Sequence, residues 1–128
     1  MDIVNLIPKD KHDLKALENI SDFSYPEIRS ISMDLLEWIQ DCNWPVARPI
    51  AKYFQTICAD IIDEFVIILK STDGIWKHSL ITQVFRDSPA NLNESVLFEL
   101  KRIATSPSQD DVLEEVVVEA KEYLAKYE

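Results

Sequence analysis

The sequence predicts an all-α protein, a short superhelix of about three helical hairpins spanning residues 1–128 as one domain. Three observations lead there. The chain has one glycine in 128 residues, against an average of roughly 7%, so the hairpin turns that need positive φ are nearly absent. Its apolar residues recur at three- and four-residue spacing rather than alternating. It also repeats at an interval of 32 residues, which sets Leu35 and Leu36 over Ile67 and Ile68, Asp41 over Asp73, Trp44 over Trp76, and Ile68 over Leu100. An interval of that length with two helices per unit suits stacked helical hairpins, because one pair cannot bury its apolar face alone.

Each element follows from local signals. Asp10 and Asp13 offer a cap and a favourable charge ahead of Leu14, Leu17 and Ile20. Ser24 and Glu27 form a capping box around Pro26, which a first helical turn tolerates because its missing N–H would have no partner there. The helix that follows carries Ile28, Ile31, Leu35, Leu36, Ile39 and Cys42 on one stripe and should stop at "DCNWP", since the residue before a proline leaves the α region. Pro45 then opens a helix with Val46, Ala47, Ile50, Phe54, Ile57 and Cys58 inward, slightly kinked at Pro49. "DIIDEFVIILK" reads as a short buried helix with Asp63 and Glu64 on its solvent side. Asp73 caps Ile75 to Phe85, and Asn91 with Glu94 caps a helix bearing Leu92, Val96, Leu100 and Ile103. After "TSPSQDD", Leu113, Val116, Val117, Ala120, Leu124 and Tyr127 mark one long amphipathic helix.

The corner "DCNWPVARPIA" resembles HEAT-type repeats, in which a helix ends at an aspartate-bearing turn and the next begins with an aliphatic residue followed closely by arginine. "TDGIWKHSLI" follows the pattern more loosely, with Lys77 at the basic position. Taken with "IPKDKHDL" and "LLEWIQDCNWPVARPIAKYF", the chain from about residue 6 to 125 resembles a bacterial family known as domain of unknown function 5071. The resemblance implies a small, helical, HEAT-like fold and no activity.

Catalytic and metal chemistry find little to build on. Cys42 and Cys58 lie on apolar stripes, as reduced core thiols would, and His12 and His78 stand alone, so neither thiol has an evident base. There is no His-Glu-x-x-His, Cys-x-x-Cys or glycine-bearing calcium loop, so no metal or cofactor is expected. A phosphate cradle needs a glycine-rich loop, which one glycine cannot supply. The "DEF" and "QDD" carboxylates read as solvated helix face. The alternative to a binding module is a small hydrolase or base-processing enzyme using Asp41 and Arg48.

The formal charge of −10 is concentrated toward the C-terminus, where Asp110, Asp111, Glu114, Glu115, Glu119, Glu122 and Glu128 face only Lys121 and Lys126. Such a field repels phosphate backbones and anionic membranes. With no leader-like apolar segment at the N-terminus, the expectation is a cytoplasmic, non-catalytic protein-binding module, an immunity or adaptor factor, monomeric or weakly dimeric, whose partner is basic at the contact. Stacked hairpins would align their turns, so Asp41, Asn43, Trp44, Arg48, Asp73, Trp76 and Lys77 are the candidate binding residues; tryptophan and basic side chains are common hot spots.

Overall fold

The computed structural model describes residues 2–89 and 91–127, apart from the side chain of Tyr127. Among the described residues every regular element is helical. The α-helices are α1 (Tyr25–Ile28), α2 (Ser32–Leu36), α3 (Ala47–Ile57), α4 (Asp63–Lys70), α5 (Gly74–Leu80), α6 (Glu94–Thr105), α7 (Gln109–Leu113) and α8 (Val116–Tyr127).

The N-terminal segment forms 3₁₀ turns (Ile3–Leu6, Leu14–Leu17, Ile20–Asp22) rather than the α-helix expected after Asp10. Its aspartates serve the local backbone instead: Asp10 accepts from the His12 N–H and Asp13 from the Lys9 N–H, each at 2.9 Å. Such side-chain bonds compete with helix. Leu14, expected inward, is exposed. The Val46 N–H donates to the Lys11 carbonyl at 3.2 Å, which ties this segment to the corner between α2 and α3.

The Ser24–Glu27 capping box is present and starts α1. The helix expected to run on to Cys42 is interrupted by 3₁₀ segments at Arg29–Ile31 and Glu37–Ile39. At the first break the Ser32 hydroxyl stands 2.9 Å from the Arg29 carbonyl, a back-bonding contact of the kind that disturbs a helix, and shares its one proton with Glu64. The last turn ends at Ile39, so Cys42 falls in the corner and is exposed, not a core thiol; Cys58 is buried as expected. Helix α3 begins at Ala47, two residues past Pro45. Pro49 therefore occupies the third helical position, where its N–H would have lacked a partner in any case, and no kink is required.

Asp73 caps α5 by accepting from the Trp76 N–H at 3.0 Å, and the helix continues as a π turn over Ile81–Phe85. The cap of α6 is Asn93, which accepts from Ser95, rather than Asn91. Ser108 and Asp111 form a capping box at α7, and the single long helix expected after "QDD" is split: Glu115, at φ 59°, turns the chain before α8. The glycine has its reason here. A Cβ on Gly74 would lie 2.7 Å from Glu114 Cγ and 2.8 Å from the Asp110 carbonyl, so only glycine lets α7 come this close to α5.

The helices pack side by side around one core. Helix α3 lies against the Ile81–Phe85 turn, and α5 with that turn lies against α8; α4 lies against α6, which in turn covers α8. The stripes drawn from the sequence supply the core: Ile28, Ile31, Leu35, Leu36 and Ile39, then Ile50 and Phe54, then Leu92, Val96, Leu100 and Ile103, then Val116, Ala120 and Leu124 are all buried. Phe65, Phe85 and Tyr123 carry ring contacts from α4 through to α8, with centroids 5.1 and 6.2 Å apart. Side-chain hydrogen bonds join segments 28 to 40 residues apart, from Gln55 to the Gln83 carbonyl, through Lys77 to Asp111 at 34, to Trp76 and the Leu36 carbonyl.

Candidate functional site at the inter-helix turns

The turns before α3 and α5 and the break after α7 meet on one edge. Asp41, Cys42 and Asn43 line a depression of about 400 Å³ with Ile75, His78, Leu113, Glu114 and Glu115. A second depression of about 410 Å³ is lined by Asp73, Gly74 and Asp110 and shares Ile75, Leu113 and Glu114 with the first. The shared wall is an apolar ridge, with Ile75 57% and Leu113 69% exposed.

Each turn aspartate is held by its own backbone. Asp41 accepts from the Asn43 N–H at 2.9 Å, and Asp73 from Trp76, so the two carboxylates act as turn caps and their charges still face solvent. Arg48 is exposed and does not line the depression that Asp41, its partner in the hydrolase alternative, lines. Trp44 is half-buried and meets Trp38 edge to face at 5.6 Å. Trp76, also half-buried, donates its Nε1–H to the Leu36 carbonyl at 3.0 Å and so closes the joint between α5 and the end of α2.

Lys77 is the largest departure among the candidate residues. It is 1% exposed, and its ammonium donates to Asp111 Oδ1 at 2.7 Å. Asp110 Oδ2 lies 2.6 Å away but out of hydrogen-bond alignment, so that contact is chiefly charge. Its charge thus holds α7 against α5 and is not offered to the surface. Burial works against the Asp110 carboxylate, yet the Lys77 ammonium and the Ser108 hydroxyl hold its carboxyl below the usual carboxylate range. Asp111, fully buried, also accepts from the Ser108 N–H at 3.0 Å. The "QDD" carboxylates are therefore not solvated helix face.

Glu64 likewise departs from expectation. It is buried, with its carboxylate accepting from the Tyr25 hydroxyl at 2.9 and 3.0 Å and from Ser32 at 2.5 Å. Burial first, and then the neighbouring carboxylate, push the Tyr25 phenol up to about 12. Asp63, its sequence neighbour, does face solvent, 3.7 Å from Arg29.

His78 and Cys42 share the first depression, where His78 Nε2 stands 3.7 Å from Glu119, a carboxylate that also takes Arg86. Among the described residues, no group of three or more His, Cys, Asp or Glu side chains is placed to hold a metal ion, and no helix is long and apolar enough to cross a membrane.

The edge is thus an apolar ridge set among carboxylates, built from turns that the sequence marks and from a helix break that it does not. A family model matches residues 6–124, a span that includes the ridge and both buried carboxylate clusters. This chain belongs to the family described as Domain of unknown function (DUF5071). No curated protein matches it. The family description assigns no activity to the edge, so the chemistry of Ile75, Leu113 and the surrounding acids must speak for itself. Sequence reasoning missed the ridge because Leu113 fits the stripe of α8 by spacing. The available signal was Ser108 with Asp111, a capping box that opens a separate short helix.

Proposed function

We propose that this chain is a non-catalytic protein-binding module, a short HEAT-like superhelix of about three hairpins that docks a partner on its turn edge. In this reading the partner is basic where it touches, and the chain serves in the cytoplasm as an immunity or adaptor factor. The observation that carries it is the Ile75–Leu113 ridge, exposed among Asp41, Asp73, Asp110, Glu114 and Glu115. Apolar surface rimmed by polar groups favours being covered. A one-signed field around it steers an oppositely charged partner. Lys77, whose ammonium lies under this edge, is already taken by two carboxylates, so it does not offset the acids around the ridge. The HEAT-like arrangement is supported by the contacts of α4 with α6 and of α5 with α8, and by buried polar links 32 and 34 residues long.

The test is affinity capture with the wild type and with Ile75→Asp/Leu113→Asp, followed by binding kinetics against the captured partner. The double variant should melt as the wild type does and lose the partner. Wild-type association should slow as salt rises, because charges farther apart than about 8 Å are screened at physiological ionic strength. A partner retained by the double variant, or association indifferent to salt, refutes the reading.

A further inference from the structure

An open groove of about 850 Å³ lies between α4 and α6, and it shares no lining residue with the two depressions at the turn edge. Its walls carry Ile67, 58% exposed, and Phe98, 66% exposed, beside Ile62 and Val66. The 32-residue interval sets Ile67 over the fully buried Leu35, so the stacking of hairpins does not account for an isoleucine in the open here.

The charges along the groove are ordered. Arg102, late in α6, donates to the Leu69 carbonyl, late in α4, at 3.0 Å, whereas Asp63 opens α4 and Glu94 opens α6. The two helices therefore run in the same direction. One end of the groove carries the Asp63 and Glu94 carboxylates and the other the Lys70 ammonium, separated by seven residues of helix, or about 10 Å. Glu99, also in the wall, is already paired with Arg102 at 3.0 Å. Asp63 has Arg29 at 3.7 Å, but both side chains are largely exposed, and such pairs hold weakly.

A groove acidic at one end, basic at the other and apolar between is its own complement under a twofold rotation. That rotation lays acid over ammonium at both ends and apolar wall over apolar wall, as an isologous interface requires. It also sets the α4 and α6 dipoles against those of the second copy in opposite directions. A partner basic throughout, of the kind suited to the turn edge, would meet Lys70 unfavourably. We infer that a second copy of this chain covers the groove in a twofold dimer, with Asp63 and Glu94 of each copy against Lys70 of the other and Phe98 and Ile67 packed between. Each chain carries a formal charge of −10, so the copies repel at long range and the dimer depends on concentration.

Sedimentation of the full chain from micromolar to millimolar concentration tests this. The wild type should pass from monomer to dimer, and Phe98→Asp should weaken pairing by about tenfold or more with an unchanged melting curve; Ile67→Ser repeats the comparison if Phe98→Asp alters melting. Lys70→Glu alone should stay monomeric, as should Asp63→Lys/Glu94→Lys, while an equimolar mixture of the two should dimerise because each then supplies the charge the other needs. A wild type monomeric throughout, a dimer indifferent to Phe98→Asp, or a mixture no better than its components overturns the inference.

Discussion

Two buried carboxylate clusters join the hairpins, and they are built on opposite principles. At α5 and α7 a lysine ammonium sits between Asp110 and Asp111; at α1, α2 and α4 a glutamate is held by the hydroxyls of Tyr25 and Ser32. The first neutralises charge with charge, so removing the cation strands two anions in a poorly solvated place. The second solvates an anion with neutral dipoles, each replaceable at the strength of one hydrogen bond. The difference bears on function as well. The lysine cluster lies beneath the turn edge and fixes α7, hence Leu113, while the glutamate cluster lies in α4, behind the groove that Asp63 and Ile67 line. Stability and the docking edge are therefore coupled at Lys77 and nearly independent at Glu64.

The largest effect should come from Lys77→Met, which keeps most of the stem and deletes the ammonium. Breaking a buried pair from one side costs about 3–5 kcal/mol, so urea unfolding should show a loss of that order. Adding Asp111→Asn, which keeps an acceptor for the Ser108 N–H, should recover part of the loss. If Lys77→Met is nearly neutral, the ammonium does not hold α7 and the contrast with Glu64 fails.

Next in size is Glu64→Gln, which preserves volume and an acceptor while removing the charge that strengthens both hydroxyl bonds. Hydrogen bonds to charged groups contribute about 1.5–3 kcal/mol each, and an amide retains part of that, so a net loss of about 1–2 kcal/mol is expected. A cycle with Tyr25→Phe should show coupling, since the two groups share the bond being altered. Glu64→Gln costing more than Lys77→Met would reverse the comparison.

The helices were legible because periodicity and caps act over a few residues. Ile28 through Ile39 and Val96 through Ile103 lie inward as their spacing dictates, and Ser24 and Asp73 mark helix starts. The polar clusters were not legible, because what distinguishes Glu64 from the exposed Asp63 beside it is a tyrosine 39 residues away and a serine 32 residues away. Lys77 shows the same limit: a basic residue after a capped turn suits a binding edge until Asp111 arrives from 34 residues downstream. The break between α1 and α2 also depends on tertiary context, since the single Ser32 hydroxyl proton is shared between the Arg29 carbonyl and Glu64. At the turn edge, Asp41, Asn43 and Asp73 were found by type and position, while Leu113 was assigned to a stripe that Glu115 interrupts.

The tryptophans give a smaller and sharper contrast. Trp44, a candidate binding residue by sequence, would cost about 3–5 kcal/mol on truncation if fully buried; it is half-buried, and its contact with Trp38 adds about 0.5–1.5 kcal/mol beyond area. Trp44→Ala should therefore cost less than Lys77→Met. Trp76→Phe keeps most of the ring and deletes the bond to the Leu36 carbonyl, for a loss of about 0.5–1.5 kcal/mol. Equal losses for Trp76→Phe and Trp76→Ala would mean that the bond, not the packing, closes the joint.

The two clusters should also separate by pH, with the smallest amplitudes of all because Asp110 and Tyr25 are partly open to solvent. The Asp110 carboxyl is lowered in the folded chain, so its contribution is present above the unfolded carboxyl range and is lost as pH falls through the folded value. The Tyr25 phenol is raised from 10.0 to about 12, so its contribution is fully present below 10.0 and is lost as pH rises from there through about 12. Acid should thus weaken the lysine cluster first and alkali the glutamate cluster. Denaturant midpoints followed across pH should show a shallower acid limb in Asp110→Asn and a shallower alkaline limb in Tyr25→Phe, each variant leaving the other limb alone. Tyr53 is also raised to about 12, chiefly by burial, so Tyr25→Phe should flatten the alkaline limb only in part, and Tyr53→Phe should remove a further share. An alkaline limb unchanged in Tyr25→Phe would mean that Glu64 is not what the phenol leans on, and the hydroxyl cluster would lose its place opposite the ionic one.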